Sequence, residues 1–190
     1  GTHTLDLTPK GLQLVVAERD GLPGNSNGCG KSLCTAGALL FVLTGQADPR
    51  PDGTKTVGAS THLVHHGSDT LSVRLTASVN GRGVRVQRTL TKGKPLLLFE
   101  EQAEDMTWLN RTRSTLKQTQ LLLCDRVLNM TDDGTDPCKA AAALLLRTVV
   151  WNQHLTPGLL EQGNDQAKKV LRALVQADAW EALAQRQKEY

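Results

Sequence analysis

Aromatic side chains are scarce here, making up 3% of the 190 residues. A core is still within reach, but it must be assembled mainly from Leu, Val and Ala. A dominant charge is also missing. Lys and Arg number 22 against 19 Asp and Glu, and a net +3 does not by itself argue for a nucleic-acid surface. The four cysteines, Cys29, Cys34, Cys124 and Cys138, form no C-x-x-C pair. That argues against structural zinc, and they read as reduced thiols of a cytosolic or nuclear protein. The longest apolar run, Ala140–Leu146, is far too short to span a bilayer. No secretory leader, internal repeat or low-complexity tract is visible. The chain opens on Gly1 rather than methionine and stops inside a charged, helix-like run, so it reads as a piece of a longer protein.

What is present centres on "GLPGNSNGCGKSLCTAG", residues 21–37. Gly30-Lys31-Ser32 is the ending of a phosphate-gripping loop, G-x-x-x-x-G-K-[ST]. Asn25 stands where the strict pattern has its first glycine, and Gly24 falls one residue too early. Asparagine tolerates left-handed backbone better than most residues, so the loop survives the exchange. The context agrees with the motif. Leu12–Val16 (LQLVV) reads as a buried strand, and residues 17–30 as a glycine-rich loop. Leu33, Ala36, Ala38, Leu39, Leu40 and Leu43 then give an apolar helix ended by Gly45. In such a site Gly28 and Gly30 let backbone N–H groups approach the phosphates. Lys31 supplies a mobile positive charge and Ser32 a hydroxyl for Mg2+. The alternative is a glycine-rich surface loop that matches by chance.

Further along, Leu71, Val73, Leu75, Ala77 and Val79 alternate with polar residues. Asn80-Gly81 follows, and Val84 and Val86 resume the alternation, which predicts a β-hairpin over 71–88 with a type I′ turn. Pro95–Phe99 adds a third antiparallel strand. Thr115–Met130 predicts a helix with Leu116, Leu122, Leu123, Val127 and Leu128 inward, broken by Asp132–Pro137. A short helix over Ala140–Arg147 and a strand over Thr148–Trp151 come next. Asp165 to about Val175 is amphipathic, with Val170, Leu171, Leu174 and Val175 on one side. Asp178–Tyr190 continues as a charged helix.

Taken in order, these features resemble the ATPase heads of SMC, SbcC, RecF and RecN-type proteins. Asn27-Gly28-Cys29-Gly30-Lys31-Ser32 and Leu43-Thr44-Gly45 are similar to their phosphate loop and the end of its helix. The strand ending in Val86-Gln87-Arg88 looks like their V-x-R strand. "RTVVWNQHLTPGLLE" looks like their strand and Q-loop. "KKVLRALVQADAWEALAQRQKE" looks like the segment that leads into a long coiled coil. The resemblance implies an α/β P-loop NTPase: an ABC-type head lobe over residues 1–157, with an additional antiparallel β-sheet, followed over 158–190 by a C-terminal helical segment leading to a coiled coil. It implies ATP held by Asn25, Ser26, Asn27, Gly28, Cys29, Gly30, Lys31, Ser32 and Leu33. Mg2+ would be held by Ser32 and Gln153, with Gln153 sensing the metal and the attacking water. Implied partners are a C-terminal lobe of the same protein, a second head, DNA and a nuclease, with no membrane. The implied location is intracellular, at the nucleus or nucleoid or in the cytoplasm.

The sequence also departs from that family. The link Ala17–Gly24 before the loop is longer than in such heads. No apolar run ends in Asp-Glu and there is no Ser-Gly-Gly, so the residues that would activate water are not in this chain. Two other readings stay open: a P-loop kinase-like enzyme of another class, and a degenerate, non-catalytic head that clamps DNA. Arg50 reads as a loop arginine, Arg88 as a structural residue pairing across the sheet, and His62, His65 and His66 as surface histidines. Lys92 and Lys94 read as solvated lysines at a turn.

Overall fold

The computed structural model describes residues 4–6, 33–46, 64, 67–130, 134 and 136–148, with isolated positions at 165, 168, 171, 172 and 185. Four strands form one antiparallel sheet in chain order: β1 (Thr70–Val79), β2 (Arg82–Thr91), β3 (Lys94–Gln102) and β4 (Trp108–Asn110). Three helices accompany it: α1 (Ala38–Thr44), preceded by a π-helical turn over Leu33–Gly37, then α2 (Leu116–Leu128) and α3 (Pro137–Thr148). α1 packs on β1, β2 and α3, while α2 packs on β3 and α3. The predicted strand Leu12–Val16 and the segment 149–151 lie outside the described residues.

Turn chemistry sets the sheet register. Asn80 and Gly81 both take positive φ, 51° and 78°, as a type I′ turn requires. Val79 therefore faces Arg82, and the ladder runs to Thr70 opposite Thr91. The next turn repeats the geometry with different residues. Lys92 and Gly93 have φ of 48° and 78°, and Thr91 faces Lys94. Lys92 is a solvated lysine at this turn, its side chain 73% exposed with Nζ 3.6 Å from Asp69 Oδ2, while its backbone N–H donates to Asp69 O at 2.9 Å. A slip of one residue at either turn would exchange the two faces of the sheet.

The inner face carries the core. Val84, Val86, Leu90, Leu97 and Phe99 are buried, and most of them cluster with Leu40, Val42 and Leu43 of α1, Leu123 of α2, and Ala142 and Leu145 of α3. The sequence has two phenylalanines, Phe41 and Phe99, and both are buried. These two rings thus sit where they remove most surface from water. The outer face is polar and laced by side chains. Ser72 and Thr89 hydroxyls meet at 3.0 Å, and Arg74 donates twice to Gln87 Oε1.

The helices begin where capping allows. Thr115 is the N-cap of α2 and accepts from Gln118 N at 3.2 Å. Asn129 ends α2 in the left-handed region, φ 52°. α3 starts earlier than the expected Ala140. Asp136 Oδ1 accepts from Cys138 N at 2.9 Å, and Pro137 occupies the first helical position, where a missing N–H costs nothing. The stretch expected to break the preceding helix does follow its end, and its last two residues launch the next one. Thr148, expected to open a strand, is the last residue of α3. Strand β4 was not expected. It is made by a tight return at Asp105, whose Oδ1 accepts from Thr107 N and Thr107 Oγ1 at 3.0 and 2.6 Å. In the C-terminal segment, Asp165, Lys168, Leu171, Arg172 and Gln185 are helical, and Leu171 is 48% exposed rather than inward. An amphipathic pattern marks a face, and only a packed neighbour buries it. Among the described residues no helix is long and apolar enough to cross a membrane.

Candidate functional site

Asn25, Ser26, Asn27, Gly28, Cys29, Gly30, Lys31, Ser32 and Gln153 lie outside the described residues, as do Arg50, His62, His65 and His66. Leu33 opens the π-helical turn, so the described part of the candidate site is the helix that follows the loop. No acidic residue stands in its first turn, which leaves the positive end of the helix without a competing carboxylate of its own. Cys34 is exposed there. A π-turn is unusual, since most such turns are single interruptions and many occur at functional sites. Gly37 keeps helical angles, φ −65° and ψ −42°, so the chain stays helical from Leu33 to Thr44.

The far end of this helix is held by a different device. A helix leaves its last carbonyls without partners in its own ladder. In α1 the carbonyls of Leu40, Phe41, Val42 and Leu43 each meet a donor. Leu40 O accepts from Thr44 Oγ1 at 2.7 Å, and Phe41 O from Gly45 N at 2.8 Å. Val42 O accepts from Arg88 Nε at 3.2 Å, and Leu43 O from Gln120 Nε2 at 2.8 Å. Arg88 Nη2 also donates to Gln120 Oε1, closing a ring between β2, α2 and the end of α1. Gly45 belongs to the same arrangement. Its φ is 78°, and a Cβ there would lie 3.0 Å from Arg88 Nη1.

Arg88 is 2% exposed, and among the described residues no carboxylate pairs with it. Its balancing charge is the negative end of the α1 dipole, about half an elementary charge. Burial lowers the pKa of Arg88, while Cys138 and Cys124 act to raise it. A guanidinium nonetheless keeps its proton in proteins. Cys124 sits beside this ring, with its Sγ 3.6 Å from both Gln120 Nε2 and Pro137 O. Burial pushes the Cys124 thiol up; the Gln120 bond and Arg88 oppose that shift. Cys138 is also raised by burial, against the pull of Arg88.

The expectation that Arg88 pairs across the sheet is corrected here. Its side chain leaves the sheet and caps a helix, because it stands at an inward position of β2 between Val86 and Leu90. Gln120 was missed altogether. Thr119 and Gln120 are buried on α2 together with the expected Leu123, while Leu116, Leu122, Val127 and Leu128 pack partly buried against the core. The available signal was polarity at an inward position: a charge in the alternation Val84, Val86, Arg88, Leu90, and an amide one turn before Leu123 and Cys124. Among the described residues no cluster of three or more His, Cys, Asp or Glu could hold a metal. No protein-family model matches the chain, and no curated protein matches it.

Proposed function

We propose that this chain is the ATP-binding lobe of an SMC-like ATPase, coupling nucleotide binding to DNA repair or chromosome organisation. One observation carries the reading. A helix begins at Leu33, the residue after Gly30-Lys31-Ser32, and it has no acidic residue in its first turn. That is the arrangement in which loop N–H groups and the positive helix end converge on phosphate. The donor set fits a magnesium nucleotide. Asn27 to Gly30 would shape the loop, Lys31 would meet the β- and γ-phosphates, and Ser32 and Gln153 would supply neutral oxygens to Mg2+. The metal, when bound, neutralises phosphate charge. Water activation is assigned to a second lobe, so hydrolysis belongs to the assembled protein. Its partners are that lobe, a second head, DNA and a nuclease, inside the cell at the nucleus or nucleoid.

Lys31→Ala in the intact protein tests the site. ATP affinity measured by calorimetry should fall at least about tenfold, the size of one charge-assisted phosphate contact. Unchanged affinity removes the assignment.

A further inference from the structure

The phosphate end and the capped end of one helix are only twelve residues apart, Leu33–Thr44, or roughly 18 Å at about 1.5 Å per residue. The caps at Val42 and Leu43 grip backbone carbonyls rather than side chains, and they come from β2 and α2. A grip on the backbone fixes where the helix lies along its own axis. It therefore also fixes where the first turn, opened by Leu33, lies. Three further observations agree. Arg88 is buried with no acid paired to it among the described residues, and its charge faces the helix end. Gln120 spends its oxygen on Arg88 and its nitrogen on Leu43 O, and both partners need a neutral amide. Gly45 has no side chain where Arg88 Nη1 passes.

We infer that Arg88 and Gln120 are positioning residues for the phosphate site, tying the helix that follows the loop to the sheet and to α2. This rests on the nucleotide reading above. It also gives the sheet a route to the site. Gln87 and Arg88 are neighbours in β2, and Gln87 is bonded to Arg74 and Ser72 on the outer face. A displacement of that face acts on the helix through one strand.

The experiment uses the intact protein and two conservative variants. Arg88→Lys keeps the cation but loses the fork that reaches Val42 O and Gln120 together. Gln120→Glu keeps an acceptor for Arg88 but has no donor for Leu43 O. Val84→Ala, a buried core variant near the start of β2, opposite Glu101 and four residues from Arg88, is the control for lost stability. ATP affinity is measured at a temperature where each variant is fully folded, alongside its urea midpoint. Positioning predicts that Arg88→Lys and Gln120→Glu weaken ATP binding about three- to thirtyfold, while Val84→Ala lowers the midpoint and leaves affinity alone. Affinities of all three within about twofold of the parent overturn the inference, since a merely structural role moves only the midpoint.

Failure of the nucleotide reading looks different: the parent does not bind ATP, or Lys31→Ala binds as well as the parent. Amide exchange then decides. Arg88→Lys should speed exchange at Ala38–Leu40, ahead of the cap, as well as at 42–46. Acceleration confined to 42–46 overturns the coupling.

Discussion

Arg85 and Arg88 leave the same strand on opposite faces of the sheet. Arg85 lies outside, with Glu100 Oε2 3.3 Å from its Nη1 and the Trp108 ring 4.0 Å from its Cζ. Arg88 lies inside, where its partners among the described residues are a carbonyl and an amide. A count of charges would favour Arg85. Solvent decides otherwise. The Arg85 and Glu100 side chains remain 28% and 20% exposed, so water still competes for both. Such pairs contribute about 0–1 kcal/mol. Around Arg88 there is almost no water, and hydrogen bonds to a buried charge contribute about 1.5–3 kcal/mol each. Arg88, with no acid beside it among the described residues, is therefore the arginine on which the fold depends more.

The sharpest way to break this comparison is Arg88→Met. It leaves Val42 O and Gln120 Oε1 buried without a donor, at about 1–3 kcal/mol per group, so urea unfolding should show a loss of about 2–5 kcal/mol. A loss below about 1 kcal/mol would mean that water replaces the guanidinium, and Arg88 would rank with Arg85.

Gly45→Ala comes next. The left-handed backbone costs a side chain about 1–2 kcal/mol. The new Cβ also has to fit against Arg88 Nη1 at 3.0 Å. The measured loss should exceed that of Gly81→Ala, where φ is equally 78° but nothing lies within 4 Å. Equal losses would show that the guanidinium gives way freely, and the cap would then be loose.

These two glycines also show what a sequence makes visible. Asn80-Gly81 announces its turn because both positions need positive φ and both residues suit it. Lys92-Gly93 makes the same turn with a lysine, and the pattern there shows only a polar interruption. The sheet was legible because alternation is a local, period-two signal. α3 was misplaced because Asp136-Pro137 looks like a breaker and works as a cap. The cap on α1 was invisible for another reason: Arg88 and Gln120 lie 46 and 77 positions from the carbonyls they hold. No local period reports such a pairing. For the candidate site the sequence offers the loop motif and the helix that follows it, and the structure adds the grip on that helix.

Cys124 tests the inner face by pH. Its pKa is raised in the folded chain by burial, so the folded thiol stays protonated while the unfolded one ionises. Stability from this group is complete below the ordinary thiol range and is lost as pH rises through the folded value. Unfolding midpoints taken from neutral to alkaline pH should fall more steeply for the parent than for Cys124→Ser. Parallel curves would show that Arg88 and Gln120 offset the burial of the thiol.

The smallest effect is expected on the outer face. A double-mutant cycle with Arg85→Ala and Glu100→Ala should give a coupling of about 0.2–1 kcal/mol, as partly exposed ion pairs do. Raising the salt to about 1 M shortens the Debye length to about 3 Å and should shrink this coupling. A second cycle, Arg85→Ala with Trp108→Leu, should give about 0.5–1 kcal/mol from the cation over the ring. That contact depends on the ring's fixed quadrupole at close range, so salt should reduce it less. If the Arg85–Glu100 coupling instead exceeded about 3 kcal/mol and ignored salt, the outer face would behave as a buried one. The distinction between the two arginines would then rest on something other than water.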